Sequence, residues 1–304
     1  MEANDAFRQI LAEMKKRIAG NTETIELMFT AIVANGHTLM EGMPGLAKTT
    51  MTKALAGAIE ADFKRVQGTP DLEPRDIIGN TYLDEQHNVK INKGPVFTNI
   101  LLVDELNRTP PKTMSAFLET LEERQVTLGG VPMALPSPFI AFAVQNPLKI
   151  EGTEPIPKVL ADRFMMKIDV DYPSEVEEQE MLRIKENEAE PEIKKIIGIK
   201  EILDIQSKVP QVEMPEEVMV YITELVDATR KDIHVTMGAS PRAAIAFMQC
   251  GKARALIQGR KQITKDDIKF LAKPVLSHRI TVRATGGVGV HGMIDGIIAT
   301  LDRQ

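Results

Sequence analysis

The stretch Gly42-Met43-Pro44-Gly45-Leu46-Ala47-Lys48-Thr49-Thr50 has the residue types and order of a loop that holds polyphosphate. Glycines let backbone amides approach anionic oxygens, and the N-terminus of a following helix adds a field that favours negative charge. Lys48 has the reach for terminal phosphates, and the Thr49 hydroxyl is a magnesium ligand at that spacing. From Gly42 to Lys48 the order follows G-x-x-x-x-G-K-[ST] with one departure, Ala47 in place of the second glycine. Taken alone, the stretch is also compatible with an ordinary strand-to-helix turn.

A second group of residues narrows the choice. The apolar run 100–103 ends in Asp104-Glu105. Asp104 is placed to hold the magnesium shell, and Glu105 to orient or polarise an attacking water, as general base or by hydrogen bonding. An acidic pair at a strand end can be only a solvated turn; following a phosphate loop, it points to phosphoryl transfer.

The flanking patterns supply the elements that must position these groups. Apolar stripes predict helices over 7–18 and 23–34, and an alanine-rich helix over 51–59. Strands are expected at 38–40, 63–67, 100–103, 139–144 and 165–170, with helices between them. That alternation predicts a doubly wound α/β sheet of five parallel strands. Ligands bind at the carboxyl ends of such strands, and the loop at Gly42, Asp104, Asn146 and Arg163 are all expected on that rim. Two hairpins, around residues 81–91 and 126–135, interrupt the alternation. The first is either a surface excursion or an insertion facing a partner or substrate. Beyond Tyr172-Pro173 the pattern turns helical, with starts at Ser174, Met214, Ser240-Pro241-Arg242 and Thr264. Domains are therefore expected at 1–172, nucleotide-binding, and 173–304, an all-helical lid.

Composition limits the rest. The chain has 304 residues, a net charge of −6, no tryptophan and a single cysteine, Cys250. This excludes an intrachain disulfide and a cysteine-based zinc site, and it disfavours broad contact with a nucleic-acid backbone. No apolar run is long enough to span a bilayer and the start is not a secretory signal, so no membrane insertion and a cytoplasmic location are expected. The five histidines form no H-x-x-x-H pair. The glycine-rich stretch 284–292 has no lysine after it and reads as a connection to a last helix, 293–301.

Together, Gly42 to Thr49, residues 101–105, Asn146 and Arg242 resemble the Walker A, Walker B, sensor 1 and sensor 2 of AAA+ ATPases, whose fold is a P-loop NTPase αβα sandwich with a helical lid. Longer strings resemble the MoxR family within that group. Among them are Gly45-Leu46-Ala47-Lys48-Thr49, Thr69-Pro70-Asp71-Leu72, Asp104-Glu105-Leu106-Asn107-Arg108-Thr109-Pro110-Pro111, Glu151-Gly152-Thr153, Asp162-Arg163-Phe164 and Gly238-Ala239-Ser240-Pro241-Arg242. The resemblance covers about residues 25–280 and accounts for Ala47, because the family loop reads G-x-P-G-x-A-K-T.

The resemblance implies ATP with Mg2+, hydrolysis in a homo-oligomeric ring expected to be a hexamer, and remodelling or maturation of a client complex. It further implies a von Willebrand factor A-domain (VWA) protein as partner. Asn146 would sense the γ-phosphate, Arg242 would reach back over the phosphates from the lid, and Arg163 would complete a neighbour's site as an arginine finger. A structural salt bridge for Arg163 and a plain helix-surface role for Arg242 are the alternatives, and Arg108 and Arg124 are weaker candidates for the role in trans. Rival readings are a magnesium-chelatase-like ATPase subunit, a DNA-remodelling AAA+ motor and a nucleotide-gated binding module.

Overall fold

The computed structural model describes residues 1–148, 153–186, 191–283 and 289–303. Glu151, Gly152 and the glycine-rich residues 284–288, singled out above, lie outside that set.

The chain begins with α1 (Ala3–Met14) and α2 (Thr22–Val33). Strand β1 (Thr38–Glu41) then leads through the glycine loop into α3 (Lys48–Ala58), followed by β2 (Phe63–Gln67) and the short α4 (Pro74–Ile78). A hairpin of β3 (Gly79–Leu83) and β4 (Val89–Lys93) precedes β5 (Ile100–Asp104) and α5 (Pro111–Glu123). A second hairpin, β6 (Gln125–Leu128) and β7 (Val131–Ala134), precedes β8 (Ile140–Gln145). The one-turn α6 (Lys158–Ala161) and β9 (Met166–Asp169) close this part. The remainder comprises α7 (Glu175–Glu186), α8 (Ile199–Lys208), α9 (Glu216–Lys231), β10 (Val235–Met237), α10 (Pro241–Ile257), α11 (Lys265–Leu276), β11 (Thr281–Val282) and α12 (Val290–Leu301).

The central sheet has the order β2-β5-β8-β1-β9, with every pairing parallel. Successive strand residues face opposite sides, so each strand feeds two cores. Ile100, Leu102, Ile140, Phe142 and Val144 pack with the helices of one face. Leu101, Val103, Ala141 and Ala143 pack under α4, α5 and the second hairpin on the other. The first core runs without a break into α8–α12, because α10 packs on both α1 and α2. The two hairpins form separate two-stranded sheets, as their spacing predicts.

Three of the four helix starts expected beyond Pro173 carry side-chain caps, and α9, which follows Met214-Pro215, does not. Ser174 and Glu177 exchange hydrogen bonds ahead of α7. Ser240 accepts from the Arg242 amide at 3.2 Å with Pro241 at the first helical position. Thr264 and Asp267 form a reciprocal box at α11. The α3 helix begins at Lys48, earlier than its apolar stripe suggests, so Lys48 and Thr49 occupy its first turn. The short β10–β11 ribbon is an addition to the helical region that no pattern in the sequence signalled.

Candidate nucleotide site

The phosphate loop crosses the carboxyl edge of the sheet between β1 and α3. Gly42 is required by packing, since a Cβ there would lie 2.5 Å from the Val170 carbonyl oxygen. Gly45 needs glycine for its backbone, with φ at +87° in open space. Ala47, the odd residue of the motif, has φ +54° and ψ +18°. A methyl-bearing residue is held there in the left-handed region, at a cost of about 1–2 kcal/mol. Lys48 is only 8% exposed, and its ammonium donates to the Gly42 carbonyl at 2.7 Å and the Met43 carbonyl at 2.6 Å. Burial pushes its pKa down, and the nearby Asp104 carboxylate partly opposes that.

The acidic pair stands opposite. Asp104 accepts from the Thr49 hydroxyl at 3.2 Å, which brings together the two groups expected to hold a divalent ion. It also accepts from Arg65 on β2 at 2.7 Å. Glu105 has φ +52° and pairs with Arg108 at 2.9 Å. The turn is tight: the Gly68 amide donates to the Asp104 carbonyl at 2.7 Å. A Cβ on Gly68 would lie 2.2 Å from the Glu105 carbonyl oxygen. The Asn107 side chain donates to the Asn146 carbonyl at 3.2 Å, tying the end of β8 to the same corner.

Gly42, Pro44, Gly45, Leu46, Ala47, Lys48, Thr49 and Thr50 line one cavity of about 360 Å³ with Asp104, Glu105 and Asn146. Met43 is not part of that lining, and its carbonyl accepts from the Lys48 ammonium. That volume is within the range of small-molecule sites. A buried ammonium, a glycine loop leading into a helix start, and a hydroxyl–carboxylate pair make a set that fits a nucleoside polyphosphate with a divalent metal. Among the described residues, no separate cluster of metal-ligating side chains occurs.

Arg163 and Arg242 are elsewhere. The five strands are parallel, and β9 is entered from its amino end, so Arg163, just before it, sits at the edge opposite the phosphate loop. The end of α5 is at that same edge, because the Leu121 carbonyl is hydrogen-bonded to His37, the residue before β1, at 2.9 Å. Glu122 there pairs with Arg163 and, at 3.0 Å, with Arg242. At about 3.3 Å per residue, a strand of this length separates the two edges by roughly 15 Å. Two expectations are thereby corrected. Arg163 is not on the carboxyl rim, and Arg242 does not reach back over the phosphates of its own chain. The reason is the seat of α10: its cap Ser240 donates to both Asp162 carboxylate oxygens at 3.1 Å, docking the first turn beside the approach to β9. Burial, then the adjacent Arg242 guanidinium, lowers the pKa of Arg163.

The other two arginines are used within the chain. Arg108 holds Glu105, and Arg124 donates to the carbonyls of Phe139 and Asn35. Sequence reasoning missed Arg65, Gly68, Glu122 and Asp162. Arg65 could have been found only from register, since Gln67 pairs with Asp104 and Arg65 lies two residues back on the same face.

Residues 37–166 match the ATPase family associated with various cellular activities (AAA), and residues 227–289 match the AAA lid domain. The uncharacterized protein YeaC of Bacillus subtilis is 41% identical over 265 residues, 86% of this chain and 83% of that protein. Chaperone MoxR1 of Mycobacterium tuberculosis is 37% identical, over 91% of this chain and 76% of that one. A crystal structure of a candidate ATPase from Cytophaga hutchinsonii superposes with a TM-score of 0.90 at 36% identity, covering 98% of this chain and 94% of that one.

Proposed function

The chain belongs to the MoxR family of AAA+ ATPases, and from that premise we propose that it works as a cytoplasmic homo-oligomeric ring, a hexamer, whose sites are completed between subunits. The carrying observation is the division of the catalytic set. The phosphate loop, Asp104, Glu105 and Asn146 are at one edge of the sheet, while Arg163 and Arg242 are at the other, paired to Glu122. A head-to-tail contact between copies brings one edge to the other, and such contacts form a ring when their rotation closes.

In each site the loop amides and Lys48 hold the ATP phosphates. Thr49 and Asp104 would hold Mg2+, which supplies charge neutralisation at the phosphate oxygens. Glu105 orients the attacking water and accepts its proton, once its carboxylate has left Arg108. Asn146 fixes the water or the γ-phosphate from the third strand end. Arg163 and Arg242 of the adjacent subunit offset the charge that develops on the transferring phosphoryl group, an effect of about 10³ to 10⁵ in rate for such arginines.

The work done is remodelling or maturation of a client complex, with a VWA-domain protein as the partner. A relative named as a chaperone supports this reading. So does the exposed apolar tip made by the two hairpins, where Tyr82, Leu83, Val89 and Val131 are each more than half exposed. Steady-state ATPase assays of the wild type, Lys48→Ala and Glu105→Gln test the chemistry, with both variants expected to be inactive and Glu105→Gln still to bind ATP. Size measurement with MgATP tests the ring, and a fully active monomer would refute it.

A further inference from the structure

One carboxylate joins the two elements that carry the arginines. Asp162 is adjacent to Arg163 in the chain, accepts two bonds from the Ser240 hydroxyl at the cap of α10, and lies 3.6 Å from the Arg242 guanidinium. It is also paired at 3.0 Å with Arg279, which follows α11. Arg279 is itself buried and engaged on all sides: its side chain is 2% exposed and donates to the carbonyls of Val275, Met165 and Phe164. Asp162 is therefore bolted to the interior of the helical region on one side, and it holds both arginine-bearing segments on the other.

Glu122 differs in kind. It pairs with the same two arginines from a half-exposed position on the end of α5, and its side chain is 47% exposed. A polyphosphate competes with a solvated carboxylate of that sort, whereas Asp162 is too well held to leave. We propose that Asp162 is a positioning residue for catalysis in trans: it fixes Arg163 and Arg242 as one unit and presents them together to the nucleotide of the adjacent subunit. The proposal rests on the division of the site between subunits argued above. Its consequence is mechanical. Because Ser240 and Arg279 belong to the helical region while Asp162 and Arg163 lead into β9 of the sheet, the seat of that region on Asp162 fixes Arg242 relative to Arg163. Each subunit's lid thereby sets the arginines offered to its neighbour.

The test is Asp162→Asn in the full-length chain, with Arg163→Ala beside it. Asparagine preserves size and a bond to Ser240 but cannot neutralise the arginines. ATP affinity is expected to stay at the wild-type level, because Asp162 is at the edge remote from Lys48, while kcat falls on the order of 10²-fold, the cost of misplacing a catalytic group by about 1 Å. Mixed with Glu105→Gln, whose arginines are intact, Asp162→Asn is expected to regain turnover several-fold above the mean of the two separate proteins. Wild-type kcat in Asp162→Asn would overturn the proposal. So would failure to complement while Arg163→Ala complements, because that pattern describes a defect within the chain. If Arg163→Ala also fails to complement, the division between subunits is wrong, and the proposal falls with it. Should Asp162→Asn lose ATP binding through misfolding, Ser240→Ala decides instead: a lowered kcat at unchanged ATP affinity supports the proposal, and an unchanged kcat overturns it.

Discussion

Lys48 and Arg242 lie at opposite ends of the same parallel sheet. The first is closed over by its own loop carbonyls, and the second pairs with Glu122 at 3.0 Å. A phosphate held by Lys48 is therefore beyond the reach of its own chain's Arg242. The proposed division of the site between subunits follows from that separation.

Replacement of either arginine by alanine should spare ATP binding and remove turnover. For Arg163→Ala the expected loss in kcat is about 10³-fold or more, the lower range for an arginine completing a phosphoryl-transfer site. Equilibrium binding of a fluorescent ATP analogue beside steady-state turnover separates the two effects. A matching loss of affinity would place Arg163 in its own chain's site.

Ala47→Gly should leave ATP binding intact. Glycine relieves the left-handed strain at φ +54° and adds its own entropic cost, and the two, each about 1 kcal/mol, nearly cancel in stability. Ala47→Val should do the opposite, because a β-branched residue is a poor occupant of that region. Thermal melts with and without MgATP check both. Abolished binding in Ala47→Gly would contradict the loop geometry described here.

Gly68→Ala tests the turn behind the acidic pair. The added methyl would meet the Glu105 carbonyl oxygen at 2.2 Å, so the end of β5 must shift. A loss of about 1–3 kcal/mol in stability is expected from the overpacking, together with a fall in kcat because Glu105 moves. Wild-type kcat in this variant would show that Glu105 tolerates displacement.

How much of this was legible from the chain follows the range of the contacts. The loop from Gly42 to Thr50, Asp104-Glu105 and Asn146 were readable because each is a local pattern at the end of a strand. The caps at Ser240 and Thr264 were readable for the same reason. Arg65, Gly68 and Glu122 were not, since their roles depend on which strands and helix ends become neighbours. The direction of Arg242 was misread because a helix start reveals its cap but not the edge of the sheet against which it docks. Arg163 was placed on the wrong rim by the same gap: proximity to a strand in sequence does not say which end of that strand is meant.

Acid should weaken the fold through His37. The ring accepts from the Ala141 amide at 3.0 Å through Nδ1, which fixes its Nε2 as the donor to Leu121, and burial lowers its pKa from 6.5 to about 3. The unfolded chain takes up this proton near pH 6.5, while the folded chain resists it down to about 3. Stability is thus full above pH 6.5 and is lost progressively as pH falls toward 3. Burial lowers the pKa of His278 as well, with the same sign. About 2 kcal/mol should be lost through His37 alone between pH 7 and pH 5. Urea midpoints over that range check it. The slope should be shallower in His37→Gln, and an identical slope would mean that His37 is not a source of the loss.

The most direct measurement mixes Arg163→Ala, which retains a complete phosphate loop and Glu105, with Glu105→Gln, which retains both arginines. Each alone should be nearly inactive. At equal concentrations with MgATP, the mixture should hydrolyse ATP several-fold faster than the mean of the two, because some loops then receive intact arginines from a neighbour. A mixture that runs at the mean, while the two variants bind ATP and assemble together, would contradict a site shared between subunits.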